Sequence, residues 1–190
     1  MTYTATIWKP KQKEYPHVSE TEAMVIIEAC KRPQFRNFIK TAWYTGLRIN
    51  EILALKAKDV IEGIDGFSLN ITRLKKGKNT HNERLPLPRE FGQLLHDYTI
   101  AARLEPTDKV FPGHQNTYRY QLRMAAKRAG LNNWQSIHPH CFRHGFVYAK
   151  VKAGVHPLVL TKLVGHSNLG TTQIYYQPQE SDLREAMERQ

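Results

Sequence analysis

The sequence predicts a mainly α-helical chain with one small antiparallel β-sheet, an α+β fold. Three observations predict it. Apolar residues recur at helical spacing through most of the chain, the period changes to two over Phe67–Thr72, and a second short run, Leu85–Pro88, offers the returning strand.

Taken in order, residues 1–18 hold Lys9, Lys11 and Lys13 with Pro10 and Pro16, and read as an extended basic arm. Ser19-Glu20-Thr21-Glu22 has the capping-box pattern. Ala23, Ile26, Ile27 and Cys30 then share one helical face to about Lys31, and Arg32-Pro33 breaks the helix. A second helix over Phe35–Tyr44 buries Phe38, Ile39 and Ala42, with Gly46 placed to end it. A third begins at Ile49–Leu55. In the sheet, Phe67, Leu69 and Ile71 alternate with Ser68, Asn70 and Thr72, and Lys75–Arg84 reads as a basic turn. Helices resume at Phe91, Leu94, Leu95 and Tyr98, and Val110–Gly113 is a connector. In Asn116–Ala129 one face takes Tyr118, Leu122, Ala125, Ala126 and Ala129, and the neighbouring face takes Arg119, Arg123 and Lys127. Helices over His140–Ala153, Pro157–Val164 and Asp182–Arg189 complete the reading. No repeat or linker interrupts the chain, so the organisation expected is a basic arm (1–18), one folded domain (19–178) and a helical tail (179–190).

At 190 residues, 41% of them hydrophobic, the chain suits one domain with an ordinary core. Mean hydropathy is −0.56, and no apolar run approaches the ~18 residues that a membrane helix needs. Met1–Pro10 lacks the apolar stretch of a secretory signal. Two cysteines, Cys30 and Cys141, exclude a disulfide framework and fit a reduced, cytoplasmic setting. The net charge of +11 points to a polyanionic partner. The charge is also clustered. Arg73, Lys75, Lys76, Lys78, Arg84 and Arg89 face a single acid, Glu83, and Arg119, Arg123 and Lys127 recur every four residues with no acid among them. The surface-helix alternative is a merely solvated charged face; the sharper one is a helix lying along nucleic acid.

Four segments carry the chemistry: Thr45-Gly46-Leu47-Arg48-Ile49-Asn50-Glu51, Arg73-Leu74-Lys75-Lys76-Gly77, His138-Pro139-His140-Cys141-Phe142-Arg143-His144, and Gly165-His166 through Ile174-Tyr175. Together they resemble the tyrosine recombinase, or phage integrase, family. Its pattern is a T-G-L-R-x-x-E box, a lysine on a β-hairpin, an H-x-x-R box, and G-H followed nine residues later by tyrosine. The five elements stand here in that order over Thr45–Tyr175, with the same spacings from His140 to Arg143 and from His166 to Tyr175. Phe142, Asn50 and Val164 depart from the commoner leucine, serine and leucine as packing changes. The Arg-Leu-Lys-Lys-Gly and Ile137–His140 stretches resemble the short recombinases that invert fimbrial promoter segments.

The resemblance implies a recombinase catalytic-domain fold and a metal-free, cofactor-free transesterification on double-stranded DNA. Arg48 and Arg143 suit the nonbridging oxygens of a phosphodiester, since two fixed guanidiniums stay charged at any working pH. Tyr175 is the implied nucleophile, with adjacent Tyr176 second to it. A phenol is weak until a neighbour takes its proton. By resemblance His140 is the general base, His166 donates to the phosphate, and a hairpin lysine protonates the leaving 5′-oxygen. Strand alternation puts Lys75 on the face of Phe67, Leu69, Ile71 and Arg73 and favours it, with Lys76 and Lys78 as alternatives. Lys76, Lys78, Arg84, Arg119, Arg123 and Lys127 are the expected DNA contacts.

The product would be a 3′-phosphotyrosyl link serving integration, excision or inversion, by a homotetramer on paired sites with possible DNA-bending accessory proteins. The tail would pack on a neighbouring subunit. Most family members carry an N-terminal helical domain, and a naturally short form is the expectation here. The rival readings are a type IB topoisomerase-like relaxase, a non-catalytic DNA-binding regulator on the same fold, and a zinc-dependent nucleic-acid binder using His138, His140, Cys141 and His144.

Overall fold

Each helix begins where the backbone finds a cap. Ser19 Oγ accepts from the Glu22 amide at 3.2 Å and Glu22 Oε2 accepts from the Ser19 amide at 2.8 Å, so the capping box forms and starts α1 (Glu20–Glu28). Arg32 is extended ahead of Pro33, which becomes the first residue of α2 (Pro33–Thr45). Pro33 therefore opens the second helix rather than ending the first, which stops at Glu28, short of Lys31, while α2 begins ahead of Phe35. Gly46 closes α2 in the left-handed conformation, φ +61°. The short α3 (Ile49–Ala54) follows from Arg48.

The structure, a computed structural model, describes residues 16–74, 80–165, 170, 175–176 and 187–188. Among them the sheet has three antiparallel strands in the order β1 (Val60–Gly63), β2 (Gly66–Leu74) and β3 (Thr80–Pro86). The helices α4 (Arg89–Ala101), α5 (Gln115–Arg128), α6 (Pro139–Lys152) and α7 (Pro157–Val164) complete the described elements. None of the described helices is long and apolar enough to cross a membrane.

The sheet is larger than its sequence pattern. β1 has too few residues to show a period, yet Val60 pairs with Leu69 and Gly63 with Gly66 around a tight turn. β3 reaches back to Thr80, so the hairpin connection is shorter than the Lys75–Arg84 turn expected from sequence, and Arg84 lies on a strand. Polar cross-strand contacts hold that extension. Thr72 Oγ1 donates to Asn82 Oδ1 at 3.0 Å, Arg84 Nε to Ser68 Oγ at 2.8 Å, and Arg73 Nε to Glu83 Oε2 at 3.0 Å. Hydrophobic alternation cannot register such pairs. The inner face of β2 buries Phe67, Leu69, Ile71 and Arg73 as strand alternation predicts.

The main core joins α1 to α5, the sheet and the start of α6, with Phe38, Phe111, Tyr118 and Phe142 at its centre. Two helical glycines let elements approach closely. A Cβ on Gly145 in α6 would lie 2.3 Å from the Val18 carbonyl oxygen, and one on Gly92 in α4 would lie 2.2 Å from Phe67 Cβ. A second, smaller cluster forms between α6 and α7 from Phe146, Val147, Leu160 and Val164, and it includes Tyr175.

Buried charge joins the sheet to α7. Arg73, 3% exposed, donates from Nη1 to Glu51 Oε2 at 3.3 Å and to the Val164 carbonyl at 3.3 Å, and from Nη2 to the Leu163 carbonyl at 2.6 Å. Those carbonyls are orphan acceptors of the last turn of α7, where a cation also meets the negative end of the helix dipole. Gly165 closes the helix at φ +64°, and a Cβ there would lie 2.7 Å from Arg73 Nε. Only glycine fits both the conformation and the contact.

Two measurements check this packing. Gly145→Ala trades a gain in helix propensity of about 1 kcal/mol for overpacking of about 1–3 kcal/mol against a backbone oxygen; the urea midpoint is expected to fall. Glu51→Ala removes the buried carboxylate shared by Arg48 and Arg73 and leaves Arg73 with Glu83 alone among the described carboxylates; the loss expected in the same titration is about 3 kcal/mol, larger than for Gly145→Ala.

Candidate active site

The site is built at the junction of α2, α3, the sheet, α6 and α7. Arg48 sits between the glycine that ends α2 and the first turn of α3. Its amide donates to Glu51 Oε2 at 2.8 Å and its Nη1 to Glu51 Oε1 at 3.2 Å. Glu51 is thus held by two arginines with its side chain 1% exposed, and it fixes Arg48, whose side chain keeps 38% exposure. The rest of the Arg48 guanidinium faces outward, able to donate to a ligand.

Arg143 comes from the second turn of α6 and is 5% exposed. Nη1 donates to the Gly46 carbonyl at 2.6 Å and Nη2 to the Val164 carbonyl at 2.7 Å. The guanidinium therefore bridges the end of α2 to the end of α7. Burial first, then the Arg48 charge, bring it down to about 10, with Glu51 opposing, Arg73 adding and Tyr175 opposing. It stays charged at neutral pH. Three arginines meet here, and Glu51, which is buried, and the partly buried Glu83 are the carboxylates they bind. A buried cation raised in energy by like charges gains most when an anion arrives.

Tyr175 is 9% exposed, in the cluster between α6 and α7. Its ring meets Tyr148 edge-on, with centroids 5.0 Å apart, and its hydroxyl is hydrogen-bonded to His144 Nδ1. Tyr176 donates its hydroxyl to the Val155 carbonyl. The adjacent tyrosines thus have different environments: Tyr175 turns to the arginine and histidine groups, and Tyr176 to a loop carbonyl.

The surroundings of the histidines at the start of α6 favour their neutral form. Burial lowers His138, with Arg123 and Arg119 adding to it. Burial also lowers His140, helped by His138, Arg143, Arg48 and Arg119. His140 is on the exposed side of the α6 start, close enough to both site arginines to feel their charge. The same electrostatics place Arg119 and Arg123 of α5 beside this end of α6.

The sequence-derived residues fall into three groups. Arg48, Arg143 and Tyr175 converge with His140, and Arg119 and Arg123 flank them. Lys127 lies farther along α5 with its Nζ 5.0 Å from the Trp134 ring, and Arg84 projects from the sheet face opposite Arg73, toward Ser68. Lys75, Lys76, Lys78 and His166 lie outside the described residues. Three residues had no part assigned from sequence in the recombinase reading: Glu51, Arg73 and His144. Glu51 and His144 stood inside the quoted motifs, and His144 shared a face with His140 and Arg143 at helical spacing. Arg73 was legible as inward-facing, but an inward arginine has meaning only once α7 is seen to end against it. Cys141 of the zinc alternative is buried, with its thiol 3.7 Å from the Ser136 carbonyl oxygen; burial raises its pKa, and among the described residues no group of three or more metal-ligating side chains is assembled.

Comparison with known proteins bears on the family and the fold. The family model described as the phage integrase family matches residues 17–182. A curated relative, the tyrosine recombinase XerA of Saccharolobus solfataricus, is 31% identical over 176 residues, 93% of this chain and 57% of the relative. The crystal structure of a XerA recombinase superposes with a TM-score of 0.73 at 26% identity, covering 97% of this chain and 68% of that one. The structure of XerH site-specific recombinase bound to its difH substrate in a pre-cleavage complex superposes with a TM-score of 0.75 at 23% identity, covering 100% of this chain and 58% of that one, a likeness of fold. The chain spans about half the length of the curated relatives it matches. A family match running from before α1 to beyond Tyr175, on the same fold, makes this chain a member of the phage integrase family, the tyrosine recombinases.

Proposed function

We propose that this chain is the DNA-cutting and rejoining part of a site-specific recombinase, working through a 3′-phosphotyrosyl intermediate on Tyr175. The observation that carries the reading is Tyr175 seated in the cluster between α6 and α7, its hydroxyl on His144 and within electrostatic reach of Arg143, whose charged form it favours. Family membership supports it, and so does the solved relative described as bound to its DNA substrate.

In this reading Arg48 and Arg143 bind the nonbridging oxygens of the scissile phosphate, and the charge that develops there offsets the repulsion among the guanidiniums. The resemblance makes His166 a donor to the same phosphate and His140 the general base. A hairpin lysine, Lys75 or else Lys76 or Lys78, protonates the leaving 5′-oxygen. Tyr175 forms the phosphotyrosine, and a partner strand's 5′-hydroxyl reverses the step. The phosphodiester is conserved, so no nucleotide cofactor is consumed. The arginines and lysine supply the positive charge that a metal gives in other phosphoryl transfers. Arg119 and Arg123 extend the positive surface past the start of α6, and Lys127 and Arg84 are more remote contacts. Synapsis of two sites by a homotetramer, with the tail packed in trans, and DNA-bending accessory proteins belong to the same proposal.

The test is a nicked duplex carrying inverted-repeat candidate sites from DNA flanking the gene, which traps a covalent intermediate. Wild type is expected to give an SDS-resistant adduct that Tyr175→Phe abolishes. An adduct that survives in the variant would move the nucleophile to another residue, and tight binding without any adduct would turn the reading to a DNA-binding regulator. Plasmid relaxation without recombinant products would favour the relaxase. In the same duplex, Arg123→Ala is expected to weaken binding and lower the salt slope of log K by about 1, measured by fluorescence anisotropy over a salt series. An unchanged slope would remove α5 from the DNA interface.

A further inference from the structure

We propose that His144 is a catalytic residue, the group that takes the Tyr175 proton as the phenol attacks phosphorus; this rests on the recombinase reading above. The sequence resemblance gave that role to His140. In the structure, the Tyr175 hydroxyl is hydrogen-bonded to His144 Nδ1, and His144 follows Arg143 in the same turn of α6.

The contact is built from more than one side. Tyr148, one helical turn beyond His144, meets the Tyr175 ring edge-on at 81°, and the His144 ring lies 6.0 Å from that ring, tilted by 33°. Phe146, Val147, Leu160 and Val164 enclose the cluster. Ring and hydroxyl of the nucleophile are therefore both positioned by residues of α6.

The surroundings of His144 disfavour its charged form. The groups acting on His144 are His140, Arg143 and His138 from α6 and His17 from the segment preceding α1. Burial first, and these groups after it, bring His144 down to about 4. The imidazole is neutral at neutral pH, and in its Nε2–H tautomer Nδ1 accepts from the phenol, the arrangement that the proton transfer requires.

The step balances. The Tyr175 Oη–phosphorus bond forms, its proton passes to His144 Nδ1, the phosphorus–O5′ bond breaks, and the leaving oxygen takes a proton from the hairpin lysine. In the reverse step the His144 imidazolium returns its proton to the tyrosine. An incoming phosphodiester beside Arg143 offsets the positive charge that holds His144 low, so its basicity rises when substrate is bound.

The experiment measures the single-turnover rate of adduct formation on the nicked duplex against pH, for wild type, His144→Ala, His144→Gln and His140→Ala. His144 lies partly exposed on α6, and thermal melts establish that each variant folds. At neutral pH both His144 variants are expected to lose about 10²-fold in rate. Their rates are then expected to rise tenfold per pH unit toward the phenol pKa of about 10, as hydroxide replaces the missing base, while wild type stays nearly level. Gln keeps an acceptor without basicity, so it follows Ala.

A loss that is equal at every pH would overturn the proposal in favour of a structural contact. The same pH-dependent rise in His140→Ala, and none in His144→Ala, would give the proton to His140. A second readout needs no DNA: 3-fluorotyrosine at position 175 is expected to shift its ¹⁹F resonance on His144→Ala in the free protein, and an unmoved signal would overturn the contact itself. A wild type that shifts its fluorine signal with His144 yet forms no adduct would overturn the recombinase reading and its proton transfer while leaving the contact standing.

Discussion

Two buried guanidiniums on the last turn of α7 are the constraint on which the site depends. Arg73 comes from the sheet and Arg143 from α6, and both donate to the Val164 carbonyl. Arg143 adds the Gly46 carbonyl, and Arg73 adds Glu51, Glu83 and the Leu163 carbonyl. A helix end buried without such donors would carry unsatisfied acceptors, and the arginines buried without them would carry unsatisfied charge. Each requirement meets the other. The result ties the hairpin, the α2–α3 corner and the start of the segment leading to Tyr175 into one unit.

That unit has a functional sense within the proposed reaction. Arg143 serves two masters in one position: it fixes two backbone carbonyls and presents a charge weakened by its neighbours to an incoming anion. Glu51 does the complementary work. It neutralises part of the buried charge and turns Arg48 outward, so that one guanidinium is structural, one is shared, and one is largely open to ligand. Preorganised cations of this kind cost no rearrangement when charge develops on phosphate.

Much of this was legible in the sequence. Ser19–Glu22 announced α1 because capping is local chemistry, and the alternation over Phe67–Thr72 announced β2 because one of its faces is buried. Of the motif residues, Arg48 and Tyr175 lie within electrostatic reach of Arg143. What remained hidden is non-local. β1 is too short to show a period, and the first half of β3 is held by polar cross-strand pairs such as Thr72–Asn82, which leave no hydrophobic period. Arg73 gains its meaning from α7, 90 residues away in sequence. His144 could be placed on a face with His140 and Arg143, but which of the two histidines reaches the phenol is decided by how Tyr148 and the α6–α7 cluster seat that ring. Pro33 shows the same limit at small scale, since a residue read as a breaker is the first residue of the next helix.

The central claim is that Tyr175, rather than its neighbour Tyr176, becomes joined to DNA. Their environments differ, with one hydroxyl on His144 and the other on the Val155 carbonyl. The direct measurement is tandem mass spectrometry of the trapped adduct after nuclease and trypsin digestion, reading which tyrosine carries the nucleotide. Fragment ions that place the nucleotide mass on Tyr175 are the result predicted. The same mass on Tyr176, or on any other residue, would contradict the account.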